Sequence, residues 1–137
     1  MSRRSPNAIL VHVVWATRSR RRLICRADDE RLASLLRQTA ADLGCKLIAI
    51  GNAADHVHVV ARIAPTIALA DLVQRLKGRS SYVAGWRWQA GYFAESIGIA
   101  DLGPLSAYVE HQRRHHDASH PAESWIMRDW EPAEGGL

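Results

Sequence analysis

The run Asp55-His56-Val57-His58-Val59-Val60 constrains the fold of this chain more than any other segment. β-branched residues dominate it, and such side chains suit a pleated, half-buried strand. Strand side chains alternate, so Val57 and Val59 share one face while His56 and His58 share the other. The valine face calls for a packed layer. The histidine face has two readings. It is either the solvated side of an amphipathic strand or a pair of neutral imidazoles that can share a divalent ion.

The elements around that strand set the fold class. Residues 7–17 (NAILVHVVWAT) read as a first strand and residues 46–51 as a second, with 52–55 a tight connection into the third at 56–63. Between the first two strands, Asp28 or Asp29 caps a helix with Leu32, Leu35, Leu36 and Leu43 at helical spacing, ending at Gly44. Pro65 and Thr66 open a second helix with Leu69, Leu72, Val73 and Leu76 on one face, and Gly78 is its expected stop or kink. The segment 86–93, with Trp88, Gly91, Tyr92 and Phe93, is a turn into a fourth short strand. Gly103-Pro104 then starts a third helix running through Tyr108 to about His116.

The order β-α-β-β-α-β plus a helix predicts an α+β, ferredoxin-like antiparallel sheet with two helices on one face. Val57 and Val59 would face those helices, leaving His56 and His58 on a face open to ligands. The chain reads as one domain over 1–137, with residues 117–137 an acidic tail in an extended or loosely docked form.

Composition narrows the function classes. With 137 residues, 47% hydrophobic and 23% charged, the chain resembles an ordinary globular domain that needs no disulfide staples. Cys25 and Cys45 form no CxxC pair, which suits a reducing cytoplasm. No signal-peptide pattern is present, and no apolar stretch approaches the ~20 residues of a membrane helix. Charge is uneven. The first 26 residues hold seven arginines and no acid, whereas 117–137 hold five acids and one arginine. A basic body with pI near 9.6 favours a polyanion such as nucleic acid, or is simply an arginine-rich solvated surface. Arg18, Arg20, Arg21 and Arg22 in one loop, and the patch Arg75, Lys77 and Arg79, are candidates for binding the phosphates of such a polyanion. Trp86, Trp88 and Tyr92 are candidates for base stacking or for core packing.

Tyr108 and Gln112 stand four residues apart, one helical turn from each other. A phenol can attack phosphorus beside a cation and a polarised phosphate. An amide oxygen can join two imidazoles around a hard ion such as Mg²⁺. In isolation the same pair is a half-buried aromatic and a surface amide. His111 and His115 are also spaced i, i+4, but Gln112 occupies the position where a zincin carries Glu. With Arg113 and Arg114 they are expected near the backbone of a nucleic-acid partner. His12 is expected to be a structural or neighbouring polar group.

These residues carry a resemblance. Asp55-His56-Val57-His58-Val59 resembles the HUH motif of the single-tyrosine transposases of small bacterial insertion sequences. Tyr108-Val109-x-x-Gln112 with His115-His116 resembles that family's tyrosine helix. His12-Val13-Val14-Trp15-x-Thr17-x-x-Arg20 looks like its opening strand, and Trp88-Gln89-x-Gly91-Tyr92-Phe93 like the segment before its last strand. The resemblance is collinear over roughly 7–125. It implies that His56, His58 and Gln112 hold Mg²⁺ or Mn²⁺. It further implies that Tyr108 cleaves single-stranded DNA at hairpin ends through a 5′-phosphotyrosine link. A homodimer is also implied, in which one subunit's tyrosine helix can complete the other's histidine site and then lie far from His56 within one chain. The length suits a compact insertion-sequence enzyme more than the longer relatives associated with repeated extragenic palindromes. Two alternatives stand beside this: a non-catalytic single-stranded nucleic-acid binder on the same sheet, and a metal-dependent phosphodiesterase that uses water in place of Tyr108.

Overall fold

The computed structural model of the chain describes residues 7–114; the expected acidic tail at 117–137 lies outside them, as do His115 and His116. Four strands form one sheet: β1 (Leu10–Ala16), β2 (Lys46–Asn52), β3 (His56–Arg62) and β4 (Phe93–Ser96). Their order is β2-β3-β1-β4 and every neighbouring pair is antiparallel. Helices α1 (Asp29–Asp42) and α2 (Leu69–Ala84) complete the β-α-β-β-α-β pattern, and α3 (Ile99–Glu110) follows β4. This is the ferredoxin-like α+β arrangement that the order of elements predicts. Among the described residues no helix is long and apolar enough to cross a membrane.

The two central strands, β1 and β3, are covered on both sides, and every residue in them except Arg62 is buried. Val11, Val13, Trp15, Val57, Val59 and Ala61 point toward α1 and α2, where Leu32, Leu36, Ala40, Leu72, Val73 and Leu76 close the main core. The opposite face carries a smaller cluster of Ala49, Val60, Leu105 and Val109 beneath α3. That face is therefore not open, as the sequence suggested; α3 lies across β2 and β3. His56 and His58 sit under this cover, 6% and 0% exposed.

A register shift between Leu47 and Ala49 explains how β2 serves both layers. The bulge lets Leu47 and Ile50 join the main core while Ile48 and Ala49 both meet α3.

Three boundaries differ from expectation for identifiable reasons. Gly78 neither stops nor kinks α2: it faces open space, and the helix runs on to Gly85, whose φ of 79° supplies the left-handed cap. The cost of an interior glycine, about 1 kcal/mol, is outweighed by buried Leu72, Val73, Leu76 and Ser80. Pro104 lies inside α3, because the helix already begins at Ile99 behind Gly98. The bond it forfeits belongs to exposed Ala100, whose carbonyl water can satisfy. Asp28 occupies the N-cap of α1 without a side-chain cap bond, and Asp29 uses its carboxylate elsewhere.

Candidate active site

Gly51 lets α3 reach the histidine strand. It pairs with His58 across the β2–β3 ladder. A Cβ placed on it would lie 1.6 Å from the carbonyl oxygen of Val109 and 3.3 Å from Cγ of Gln112. Only a residue without a side chain permits the last turn of α3 to rest there. Past Glu110 the chain tightens into a 3-10 turn, Gln112–Arg114, so Gln112 lies just beyond the helix on which the sequence placed it. The turn still carries its side chain inward, to 2% exposure.

Within one chain the predicted residues converge. His56 Nε2 and Gln112 Oε1 are 3.2 Å apart. The rings of His56 and His58 lie 5.1 Å apart, and the His58 ring meets Tyr108 edge-on at 5.9 Å. The separation that subunit exchange would impose on Tyr108, Gln112 and His56 is not found. His12, fully buried in β1, joins the same cluster: its Nε2 is 2.9 Å from His58 Nδ1 and its Nδ1 is 2.9 Å from Glu95 Oε1.

Hydrogen bonding assigns the atoms. Asp55 Oδ1 stands 2.8 Å from His56 Nδ1 and accepts its proton, so the lone pair of neutral His56 sits on Nε2. Gln112 donates its amide N–H to the Tyr108 carbonyl at 3.3 Å, which turns Oε1 toward that lone pair. Two acceptors thus face each other, an arrangement that a cation or a shared proton makes favourable. Imidazole nitrogen and amide oxygen suit a small divalent ion, and neighbouring ligands on an octahedral ion of this size stand about 3 Å apart. The donor set fits Mg²⁺ or Mn²⁺. Among the described residues no three His, Cys, Asp or Glu side chains group to hold a metal; this set depends on an amide as its third member. His111, the described part of the alternative zinc pair, is exposed and bonded to the Ala107 carbonyl.

Two ionic contacts brace the cluster. Arg20 donates to Asp55 Oδ2 at 2.8 Å from a turn in which Ser19 and Arg20 both take positive φ (56° and 53°). Such conformations cost of order 1–3 kcal/mol each and tend to be held where surrounding contacts fix them. Burial raises the Asp55 carboxyl, but bonding and charge from His56 and then Arg20 outweigh it and leave the group below its ordinary value. Arg113 forms the second brace, donating to both oxygens of Asp29 at 2.7 Å and to the Ile24 carbonyl at 3.0 Å. Asn52 donates to the same carboxylate at 3.0 Å. Burial again opposes ionisation, yet the bonds from Arg113 and Asn52 and the charges of Arg113 and Arg26 hold Asp29 low. The end of β2, the start of α1 and the turn bearing Gln112 are thereby tied together.

Several residues expected on DNA have other work. Arg20 and Arg113 are the two braces just described. Lys77 is buried and donates to the carbonyls of Gln89 and Gly91 at 2.7 and 3.0 Å, and burial pushes its ammonium down to about 8. Arg79 makes a long surface pair with Asp42 at 3.6 Å, and Arg75 is exposed. Trp86 is buried beneath the Arg31 guanidinium, while half-buried Trp88 donates to Ser80 and packs edge-on against Trp15. Both belong to the core, as does Tyr92. Arg18, Arg21 and Arg22 remain at the surface. Arg18 and Arg21 line a cleft of about 700 Å³ together with Arg31, Arg87 and Trp86. The backbone bond from Arg18 N–H to the Arg87 carbonyl brings these distant arginines together, and nothing local in the sequence signals it. Sequence reasoning also missed Gly51, Asp29 and Glu95. A His12–Glu95 pairing becomes legible only once β1 and β4 are placed in register.

Residues 6–112 match the family described as Transposase IS200 like. The chain belongs to that family. It is 26% identical over 114 residues to the ISDra2 transposase TnpA of Deinococcus radiodurans, a match covering 74% of this chain and 81% of that protein. The transposase of insertion sequence element IS200 from Salmonella typhimurium is 23% identical over 114 residues, covering 74% of each. Among solved structures, a Deinococcus radiodurans R1 protein described as a transposase superposes with a TM-score of 0.63 at 23% identity, covering 82% of this chain and 96% of that one. A REP-associated tyrosine transposase bound to a REP hairpin superposes with a TM-score of 0.65 at 14% identity, over 100% and 98% of the two chains. These likenesses support the fold. The chain is thus a transposase of the IS200-like tyrosine family, an enzyme that acts on DNA.

Proposed function

We propose that this transposase cleaves and rejoins single-stranded DNA at hairpin ends, with Tyr108 as nucleophile and Mg²⁺ or Mn²⁺ held by His56, His58 and Gln112. The observation that carries the reading is the convergence of all four side chains within one chain, with two lone-pair atoms facing each other at 3.2 Å. The phenolic oxygen of Tyr108 bonds to phosphorus and gives up its proton. The P–O3′ bond breaks, and the departing oxygen takes up a proton to become a 3′-OH. The 5′-phosphate stays on Tyr108. The bound ion would polarise the phosphate and neutralise charge as the 3′-oxygen departs. Phosphotyrosine keeps a phosphodiester's energy, so another 3′-OH can attack it and join new strands.

The protein's own groups prepare this step. Asp55 and Gln112 fix which atoms of the cluster carry lone pairs, and the cover of α3 keeps the histidines dry. The arginine cleft offers positive charge for backbone phosphates, and its loop is tied to the histidine strand by the bond from Thr17 N–H to the Asp55 carbonyl. A homodimer belongs to the same reading, with the role of holding two DNA ends near each other.

The test is incubation with labelled hairpin-bearing single-stranded DNA and Mg²⁺ or Mn²⁺, followed by a denaturing gel. A covalent protein–DNA band absent from Tyr108→Phe supports the reading. Cleavage that survives Tyr108→Phe would point to hydrolysis by water, and DNA binding with no covalent band under any metal condition would leave a binding protein only.

A further inference from the structure

The reaction proposed above has no use for Glu95, yet this carboxylate lines the groove of about 460 Å³ between β4 and α3 that Tyr108 also lines. A negative charge beside an incoming phosphate is unfavourable unless another group uses it. The group that does is His12. Glu95 Oε1 lies 2.9 Å from His12 Nδ1, and a carboxylate at that distance accepts the proton there. The lone pair of neutral His12 is then on Nε2, 2.9 Å from His58 Nδ1. That contact is a hydrogen bond only if His58 carries its proton on Nδ1. Its own lone pair must then be on Nε2, the same ring atom that Asp55 selects in His56.

We infer that Glu95 and His12 are positioning residues, forming a relay from β4 through β1 that fixes His58 as the Nδ1–H tautomer, so that Nε2 is the atom through which it would hold a metal. The inference rests on the metal-site reading above. The relay is rigid. His12 and His58 are both fully buried and their rings stack at 5.1 Å with 17° between planes, and Phe93 meets the His12 ring edge-on at 6.2 Å. Register supplies the alignment: His12 faces Glu95 across one ladder, and Val14 faces His58 across the other. The two histidines of the cluster are thus oriented unequally, His56 by a carboxylate directly and His58 by a carboxylate acting through a second imidazole. An anionic anchor one hydrogen bond further out raises ligand basicity and fixes the ring, and losing such an outer partner costs about 10–100-fold in metal affinity.

The test uses the full chain and two readouts: ¹⁵N NMR of the histidine rings in metal-free protein, and Mn²⁺ affinity by titration calorimetry. The expected wild-type result is a protonated Nδ1 and an unprotonated Nε2 on His58. Glu95→Gln, at a partly exposed strand position, is expected to fold normally and to weaken Mn²⁺ binding about 10-fold. His12→Phe keeps the buried volume and is expected to shift His58 toward the Nε2–H form. A wild-type His58 found as Nε2–H overturns the relay. So do variants that keep the wild-type tautomer and bind Mn²⁺ within twofold of wild type. Absence of Mn²⁺ binding by the wild type would overturn the metal-site reading itself, which is a separate result from intact binding that ignores Glu95.

Discussion

The two faces of the sheet are built on different terms. Toward α1 and α2 the strands present Val, Trp, Leu and Ala to an apolar layer, and the buried polar side chains of those helices, Thr39, Lys77 and Ser80, are each bonded to backbone carbonyls. Toward α3, buried apolar residues such as Val14, Ala49, Val60, Leu105 and Val109 share the layer with buried His12, His56, His58 and Gln112. The first face uses non-directional burial, roughly 25 cal/mol per Å² of apolar area. The second depends on hydrogen bonds whose donors and acceptors must match one by one, and buried polar networks are costly when incomplete. Stability and chemistry are therefore largely separated by one sheet, and substitutions should affect one without the other.

Gly51→Ala should break the comparison most sharply. The new Cβ cannot share space with the Val109 carbonyl, so the last turn of α3 must lift and carry Tyr108 and Gln112 with it. Strand cleavage should fall about 10²-fold or more, the scale expected for displacements near 1 Å, while far-UV circular dichroism still reports the α1/α2 side. Unchanged cleavage would mean that α3 need not rest on β2.

Leu72→Ala probes the opposite face. Its side chain is fully buried in the main core, and its removal should cost about 2–5 kcal/mol in denaturant unfolding. At a temperature where the variant remains folded, cleavage should stay near the wild-type rate. Loss of activity in the folded variant would show that the faces are coupled.

A smaller effect is expected for Arg113→Ala. Without its two bonds to Asp29 the turn carrying Gln112 loses its anchor, and Mn²⁺ affinity should weaken about 10-fold. Asp29→Asn should shift affinity the same way.

Lys77 gives an effect on stability that shows in its pH dependence. Its folded value of about 8 lies below the unfolded 10.5, so between them the unfolded chain binds more protons than the folded one. The penalty of burying the ammonium is fully present below pH 8 and fades toward pH 10.5. Wild-type stability measured against Lys77→Met should therefore rise from pH 7.5 to pH 10. A flat or falling difference would mean that the Gln89 and Gly91 carbonyls keep the ammonium charged.

The same division governs what could be read from the chain itself. Period-two and helical spacing mark the α1/α2 face, so Val57, Val59, Leu32, Leu36, Leu72 and Leu76 were legible. The facing of His56 with His58, and the presence of Tyr108 and Gln112, were legible as motifs. Their cover was not, because the apolar residues of α3 do not segregate to one face and its seat depends on a bulge near Ile48 and on the missing side chain of Gly51. Arginines were legible as charge but not as partners. Whether Arg20 or Arg113 meets DNA or a carboxylate depends on Asp55 and Asp29, 35 and 84 residues away in sequence.

The central claim is that one chain supplies the whole site. Two differently tagged chains, one carrying Tyr108→Phe and the other His56→Ala with His58→Ala, can be co-expressed, purified together and given hairpin-bearing single-stranded DNA with Mn²⁺. Neither chain then holds an intact cluster, and the cis arrangement predicts no covalent product. A DNA adduct on the chain that keeps Tyr108 but lacks both histidines would show that the tyrosine serves a partner's histidines, and would contradict this account.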